Sequence, residues 1–282
     1  KAAGRNAFRF YSAYMQDAIQ SRALLEQELH VAVGLNQFTL YYQQQVDGDD
    51  VVVGAEALIR WNHPTRGVVL PDQFIPFAEE TGLITAIGTW VIESACAQLR
   101  RWADDTTTAQ LTLSLNVSAH QFRQATFVSS VRQAMQRHSV NPDRLMLEIT
   151  ESVMLDNVDA SITKMNELVR AGVRFALDDF GTGHSSLSYL TRLPIAQLKI
   201  AQPFINNIDA NASDAVVIQT IVGMAKNLGL EVIAEGVETE RQRRYLAEQG
   251  CQLCQGYLFS RAVPSEDFQA SLASHPRPES PG

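Results

Sequence analysis

Eight short β-rich runs, separated by amphipathic helical runs, constrain this chain more than any other feature. The runs are Phe38–Val46, Val51–Ile59, Leu111–Val117, Leu145–Thr150, Val173–Leu177, Ala196–Ile200, Glu231–Ala234 and Cys254–Phe259. Between them, apolar residues recur at helical spacing. Such stretches run from Pro71 to near Trp102 with a break at Gly82, then over Phe127–His138, Val158–Arg170, Ser186–Leu190, Ala215–Leu228 and Glu238–Glu248. Gly172, Gly229 and Gly250 stand where helices stop, and Ser213 and Asp214 are expected to cap the helix that follows them. Strands that alternate with crossover helices form parallel sheets. Eight such units in 282 residues predict an α/β fold of the (β/α)8, TIM-like barrel type. An open doubly wound sheet shares the alternation and is the rival architecture.

Composition narrows the function classes. Lys and Arg number 23 against 31 Asp and Glu, a net charge of −8. That balance argues against a nucleic-acid polymer as partner, which needs a basic face. Charges interrupt every apolar stretch well before the ~18 residues of a membrane span, so no membrane contact is expected. The three cysteines, Cys96, Cys251 and Cys254, point to the reducing cytoplasm rather than a disulfide framework. Cys251 and Cys254 form a C-x-x-C, but no second ligand pair accompanies it, so both are expected to be ordinary core thiols. A helical stretch from Met15 to Val33 precedes the first strand, and the Pro- and Ser-rich end, residues 274–282, reads as a flexible tail.

Position is more telling than composition. Barrel enzymes carry chemistry at the C-terminal ends of their strands. Here those ends bear Asn116, Glu148, Asp178 with Asp179, Lys199 and Glu235; the second run carries Glu56, and the last is expected to begin at Gln255. Acids gathered at one rim repel each other and raise their own pKa values. Divalent cations relieve this, and an all-oxygen donor set selects hard ions, Mg2+ or Mn2+. Adjacent aspartates allow one carboxylate to bridge while its neighbour serves a second ion. Two ions about 3.5–4 Å apart suit in-line displacement at phosphorus. The pattern therefore implies a two-metal phosphodiesterase with a lysine that holds the attacking water or neutralises phosphate. Ca2+ is expected to bind but inhibit, because its larger, looser shell departs from octahedral geometry.

At these residues the chain resembles the EAL domain family of cyclic-di-GMP phosphodiesterases. The naming motif is Glu56-Ala57-Leu58 within GAEALIRW, residues 54–61. Other family blocks follow in order: FIPFAEETGLI at 74–84, NVSAHQF at 116–122, EITES at 148–152, LDDFGTGHSSLSYL at 177–190, LPIAQLKI at 193–200, AEGVET at 234–239 and QGYLFS at 255–260. The resemblance implies a TIM-like barrel whose first strand is antiparallel, two metal ions, and hydrolysis of cyclic-di-GMP to linear pGpG. It assigns Glu56, Asn116, Glu148 and Asp178 to one metal, with Asp178 bridging to a second held by Asp179 and Glu235. Lys199 orients or activates the water, and Glu56, Asp178 and Asp179 act with it in catalysis. Gln255 and Arg60 meet the water and substrate phosphates. Glu151 and Glu238 support the site from behind, Glu151 by anchoring the loop 180–185 with its glycines Gly181 and Gly183. The family associates that loop with dimerisation, so a homodimer is implied.

Residues 1–11 resemble the end of a GGDEF domain, which implies an upstream GGDEF or sensory region. The expected organisation is a remnant at 1–11, a connector helix at 12–34, an EAL barrel at 35–273 and the tail. The chain departs from the family pattern at Ala196, in place of a frequent aspartate, at Gln44, in place of a frequent proline, and at Ala201, where LKIA replaces LKID. On a strand, residues i and i+2 share a face, so Ala201 removes an expected charge partner of Lys199. Turnover is thereby put in question while binding is not. The alternative reading is a weak or inactive cyclic-di-GMP receptor that signals through domain contacts. The seven acids Glu56, Glu148, Glu151, Asp178, Asp179, Glu235 and Glu238, set against Lys199 and Arg60, account for five of the eight excess negative charges.

Overall fold

The computed structural model describes residues 25–154, 157–181, 190–208 and 212–274. The expected remnant at 1–11, the connector up to residue 24, Gly183, the short helix from Ser186 and the tail beyond Ser274 lie outside the described residues. Eight strands close into a barrel: β1 (Phe38–Val46), β2 (Val52–His63), β4 (Thr112–Val117), β5 (Leu145–Thr150), β6 (Arg174–Phe180), β7 (Gln197–Ile200), β8 (Glu231–Ala234) and β9 (Leu253–Gln255). From β2 through β9 each barrel strand is parallel to the next. β1 is antiparallel to both β2 and β9 and closes the ring between them. This excludes the open sheet, and the first strand runs in the antiparallel sense.

Two strands go beyond the sequence expectation. β3 (Gly67–Val69) extends β2 as a hairpin, and β10 (Val263–Pro264) pairs with β1. The last barrel strand is also shorter than Cys254–Phe259. After Gln255 the chain turns, with the Phe259 and Ser260 N–H groups donating to the Gly256 carbonyl. A Cβ at Gly256 would lie 2.1 Å from the Val237 oxygen, so only glycine lets the segments after β8 and β9 approach this closely. Gln255 therefore ends its strand rather than beginning it, and stands at the same mouth as the other strand ends.

Helices surround the ring. They are α1 (25–34), α2 (Pro71–Thr81), α3 (Ile84–Ala103), α4 (Ala119–Arg123), α5 (Phe127–His138), α6 (Val158–Arg170), α7 (Gln202–Asn206), α8 (Ala212–Leu228), α9 (Glu240–Gln249) and α10 (Ser265–Ser274). Gly82 breaks the first long helical stretch at φ 78° and closes α2 in the left-handed region. Ser213 and Asp214 lie inside the first turn of α8 rather than before it. An acid there still favours the positive end of the helix.

The apolar faces meet around the ring. Leu29 and Ala32 of α1 are fully buried. Tyr42 of β1 packs with Trp102 of α3 and Phe268 of α10, and the last two rings stack at 5.4 Å between centroids. All three cysteines are free and buried, and burial pushes Cys96 up to about 12 and Cys254 up to about 11. They are core thiols, as expected. No helix among the described residues is long and apolar enough to cross a membrane. Phe268 docks the last helix onto β1, so Phe268→Ala is expected to lower unfolding free energy by about 3–5 kcal/mol. Urea denaturation followed by tryptophan fluorescence measures this; a loss under about 1 kcal/mol would contradict the packing role.

Candidate functional site

Strands β4 to β9 bring polar residues at or near their C-terminal ends to one mouth, and β2 brings Glu56 from within its length. Parallel register aligns Asn116 with Glu148, and Thr150 with Asp178. Lys199 stands on β7 and Glu235 directly after β8. Two neighbouring residues of a regular strand point to opposite faces, which should separate Asp178 from Asp179. The structure resolves this with an irregularity. The β6–β7 register shifts between Leu177 and Phe180, and Asp179 adopts φ 52°. A bulge of this kind re-aims side chains, and left-handed backbone at a non-glycine residue stores strain of a sort that gathers at functional sites. Both aspartates consequently line the same cavity.

At the floor of the mouth, Lys199 is fully buried, an unusual place for an ammonium. Its Nζ contacts Glu148, lies 2.5 Å from Glu235 Oε1 and 3.3 Å from Asp178 Oδ1, and comes within 3.7 Å of Glu56 Oε2. Burial works against its charge, but the four carboxylates outweigh burial and hold Lys199 well above the usual lysine range. The acids feel the converse. Burial raises Glu148 well above the usual carboxylate range despite Lys199, and pushes Glu235 up to about 8. Asp179 is raised by burial and by Asp178 beside it. Four carboxylates share one ammonium, and Glu148 Oε1 is buried with no hydrogen-bond partner.

The remaining polar groups orient this cluster. Asn116 Nδ2 donates to Glu56 Oε1 at 2.5 Å and Gln255 Nε2 to Glu56 Oε2 at 2.6 Å. After β8, Thr239 caps α9 in a reciprocal box with Gln242. Gln242 Oε1 accepts from the Glu238 and Thr239 N–H groups at 2.8 and 2.9 Å. That box fixes the segment that carries Glu235 and Glu238. Glu151 Oε1 accepts from Gly181 N at 3.4 Å, tying the turn after β5 to the one after β6.

The cavity above holds about 280 Å³ and is lined by Glu56, Asn116, Asp178, Asp179, Glu235, Glu238 and Gln255 among others. Glu238 thus faces the cavity itself instead of standing behind it. Arg60 is outside this lining. Its guanidinium lies 5.5 Å from the Tyr41 ring centroid and donates to the Ile59 carbonyl. Gln43, Gln202 and Tyr257 line the cavity and were not anticipated. Gln43 carried a signal: a glutamine inside an otherwise buried strand is costly unless it has polar partners.

The donor set suits hard divalent cations. Oxygen atoms of Asp178, Asp179 and Glu235 all lie within 4.8 Å of one another. The unpartnered Glu148 oxygen and the raised acids mark a carboxylate excess that a cation relieves. Ala201 changes the site less than strand alternation suggests. It lies just past β7 as the N-cap of α7 and makes no cap bond. Lys199 is already surrounded by four carboxylates, so the missing aspartate leaves the ammonium partnered.

Comparison with known proteins converges on one family. The EAL domain profile matches residues 26–262. The chain is 43% identical over 274 residues to the bifunctional diguanylate cyclase/cyclic di-GMP phosphodiesterase MucR of Pseudomonas aeruginosa, covering 97% of this chain and 40% of MucR. It is 39% identical over 276 residues to the cyclic di-GMP phosphodiesterase NbdA of the same organism, covering 98% of this chain and 35% of NbdA. It therefore spans about two fifths or less of the length of these relatives. A structure of the MucR phosphodiesterase in complex with c-di-GMP superposes with a TM-score of 0.84 at 44% identity, over 87% of this chain and 99% of that one. The EAL enzyme Bd1971, with cAMP and cyclic-di-GMP bound, gives 0.86 at 32% identity over 90% and 70% of the respective chains.

Replacing Lys199 by methionine leaves four carboxylates around an apolar side chain. Lys199→Met is expected to cost about 3–5 kcal/mol in metal-free protein, because it strands buried charge. Mn2+ should raise the melting temperature of the variant more than that of the unaltered chain. Equal shifts, read by calorimetry, would break the link between lysine and metal sites.

Proposed function

The chain belongs to the EAL domain family, and from that premise we propose that it hydrolyses cyclic-di-GMP to linear pGpG with two divalent metal ions. The observation that carries the reading is the buried Lys199 among four carboxylates beneath an oxygen-lined cavity. Further support comes from relatives named as cyclic di-GMP phosphodiesterases and from EAL structures with that ligand bound. Glu56, Asn116, Glu148 and Asp178 would hold one ion, and Asp178, Asp179 and Glu235 would hold the other. The all-oxygen set favours Mg2+ or Mn2+ over softer metals. When bound, such ions supply Lewis-acid polarisation of the phosphodiester and lower the pKa of the attacking water.

The protein's own groups do the rest. Lys199, within reach of four carboxylates at the floor of the mouth, would orient the nucleophile and balance phosphate charge. Glu56 is oriented at both oxygens by Asn116 and Gln255, which limits the reorganisation needed on the way to the transition state. Gln255 commits its amide N–H groups to Glu56 and Gln43, so it acts by aligning Glu56 and would meet phosphate only where one of those bonds opens. Arg60, at the edge of the mouth beside Tyr41, reaches a substrate phosphate only if its side chain leaves that ring. The Asp179 backbone keeps both aspartates facing the substrate.

A turnover assay with Mg2+ or Mn2+, resolving pGpG by chromatography, tests this. The unaltered chain is expected to form pGpG, and Glu56→Ala to lose at least about 10²-fold in rate, roughly 2.7 kcal/mol of barrier. Full activity in Glu56→Ala would undo the site assignment. Ala201→Asp is expected to change the rate by less than about tenfold, because Lys199 is already paired. No pGpG from the unaltered chain, alongside intact ligand binding, would favour the receptor reading.

A further inference from the structure

We propose that Gln45 is a positioning residue: it fixes the amide of Gln255 so that Gln255 offers N–H, not C=O, to Glu56 and Gln43. The inference rests on the phosphodiester reading for its chemical purpose, the alignment of Glu56, but its geometry stands alone.

Gln45 lies at the seam where antiparallel β1 meets β9, and its Cα pairs with that of Gln255. Its side chain is buried. Gln45 Nε2 donates to Gln255 Oε1 at 3.0 Å. Gln255 Nε2 then donates to Glu56 Oε2 at 2.6 Å and to Gln43 Oε1 at 3.2 Å. Gln43 in turn donates through Nε2 to the Ser260 carbonyl at 3.0 Å, which leaves its oxygen as the acceptor facing Gln255. The three amides form a directional chain. Turning Gln255 over would set its oxygen against the Glu56 carboxylate and the Gln43 oxygen, and its NH2 against the NH2 of Gln45. Of these neighbours, Gln45 holds the oxygen end. With Glu56 engaged by ligand, Gln45 still holds Gln255 at its oxygen end, and Gln43 at its NH2 end.

Two independent features make room for it. The β1–β2 register shifts between Gln45 and Val46, a bulge that aims the side chain across the seam. Opposite it stands Gly54, where a Cβ would approach to 3.0 Å from Gln45 Oε1 and 2.8 Å from the Thr112 carbonyl. A side chain at 54 would displace the glutamine, so the glycine two residues before Glu56 is part of the same device. A buried amide chain paired end to end from Gln45 to Ser260 specifies one arrangement and is costly to leave half-made.

The test is a double-mutant cycle with Gln45→Met and Gln255→Met, in protein labelled with 15N glutamine. The Gln255 side-chain NH2 signal is identified by its absence in Gln255→Met. It is expected to shift in Gln45→Met, a change that a purely structural role for Gln45 would not require. With cyclic-di-GMP and Mn2+, Gln45→Met should lose about tenfold in kcat/KM, and the double variant should be no worse than Gln255→Met alone. An unmoved Gln255 signal, or losses that multiply in the double variant, overturns the proposal. If the unaltered chain shows no turnover, the phosphodiesterase reading fails, while the NMR shift still decides the role of Gln45.

Discussion

Burying one ammonium at the floor of the barrel mouth is the interaction on which the rest of the site depends. Four acids from four strands or strand ends, Glu56, Glu148, Asp178 and Glu235, converge on Lys199. Without the lysine they would repel and splay; without the acids it could not stay charged in a place that excludes water. The arrangement is unbalanced by design. Too few positive charges remain for the acids present: burial, with the neighbouring acids adding to it, raises Glu148 and Glu235, and one Glu148 oxygen has no partner. That unmet demand for positive charge makes the mouth a place for cations and, through them, for an anionic ligand.

The antiparallel first strand has a physical consequence for this chemistry. A parallel strand would bring its C-terminal end to the mouth. β1 instead passes the seam between β2 and β9 in reverse and contributes side chains from within its length, Gln43 and Gln45. They add amides to those of Asn116 and Gln255, beside the acids Glu56, Glu148, Asp178, Asp179 and Glu235. Amide groups orient Gln255 and Glu56 without adding to the negative charge. The seam thus combines closure of the barrel with alignment of the Glu56 carboxylate.

Much of this was legible in the residue order. The strand–helix alternation carried the barrel, and the strand-end acids with Lys199 carried the cluster, because strand ends of a parallel barrel share one mouth. Leu29 and Ala32 were readable as the buried face of α1 from helical spacing alone. Less legible were departures from regularity. Asp178 and Asp179 were readable as members of one site, but not the register shift and the one left-handed residue that let neighbours on a strand share it. Gln255 was expected to open a strand that it closes. Ala201 was read as a missing partner of Lys199, but the lysine proved to be surrounded by acids from other strands.

The sequence by itself determined the fold class, the family and the inventory of charged groups, since these follow from local periodicity and from residue types in order. Tertiary structure alone decided which acids share the ammonium, which way the amides of Gln43, Gln45 and Gln255 point, and why Gly54 and Gly256 bear no side chain. The reason is physical. Periodicity reports the face on which a residue lies, whereas pairing, burial and close backbone approach arise between segments as much as 217 residues apart, as at Gln43 and Ser260. No local rule encodes those distances.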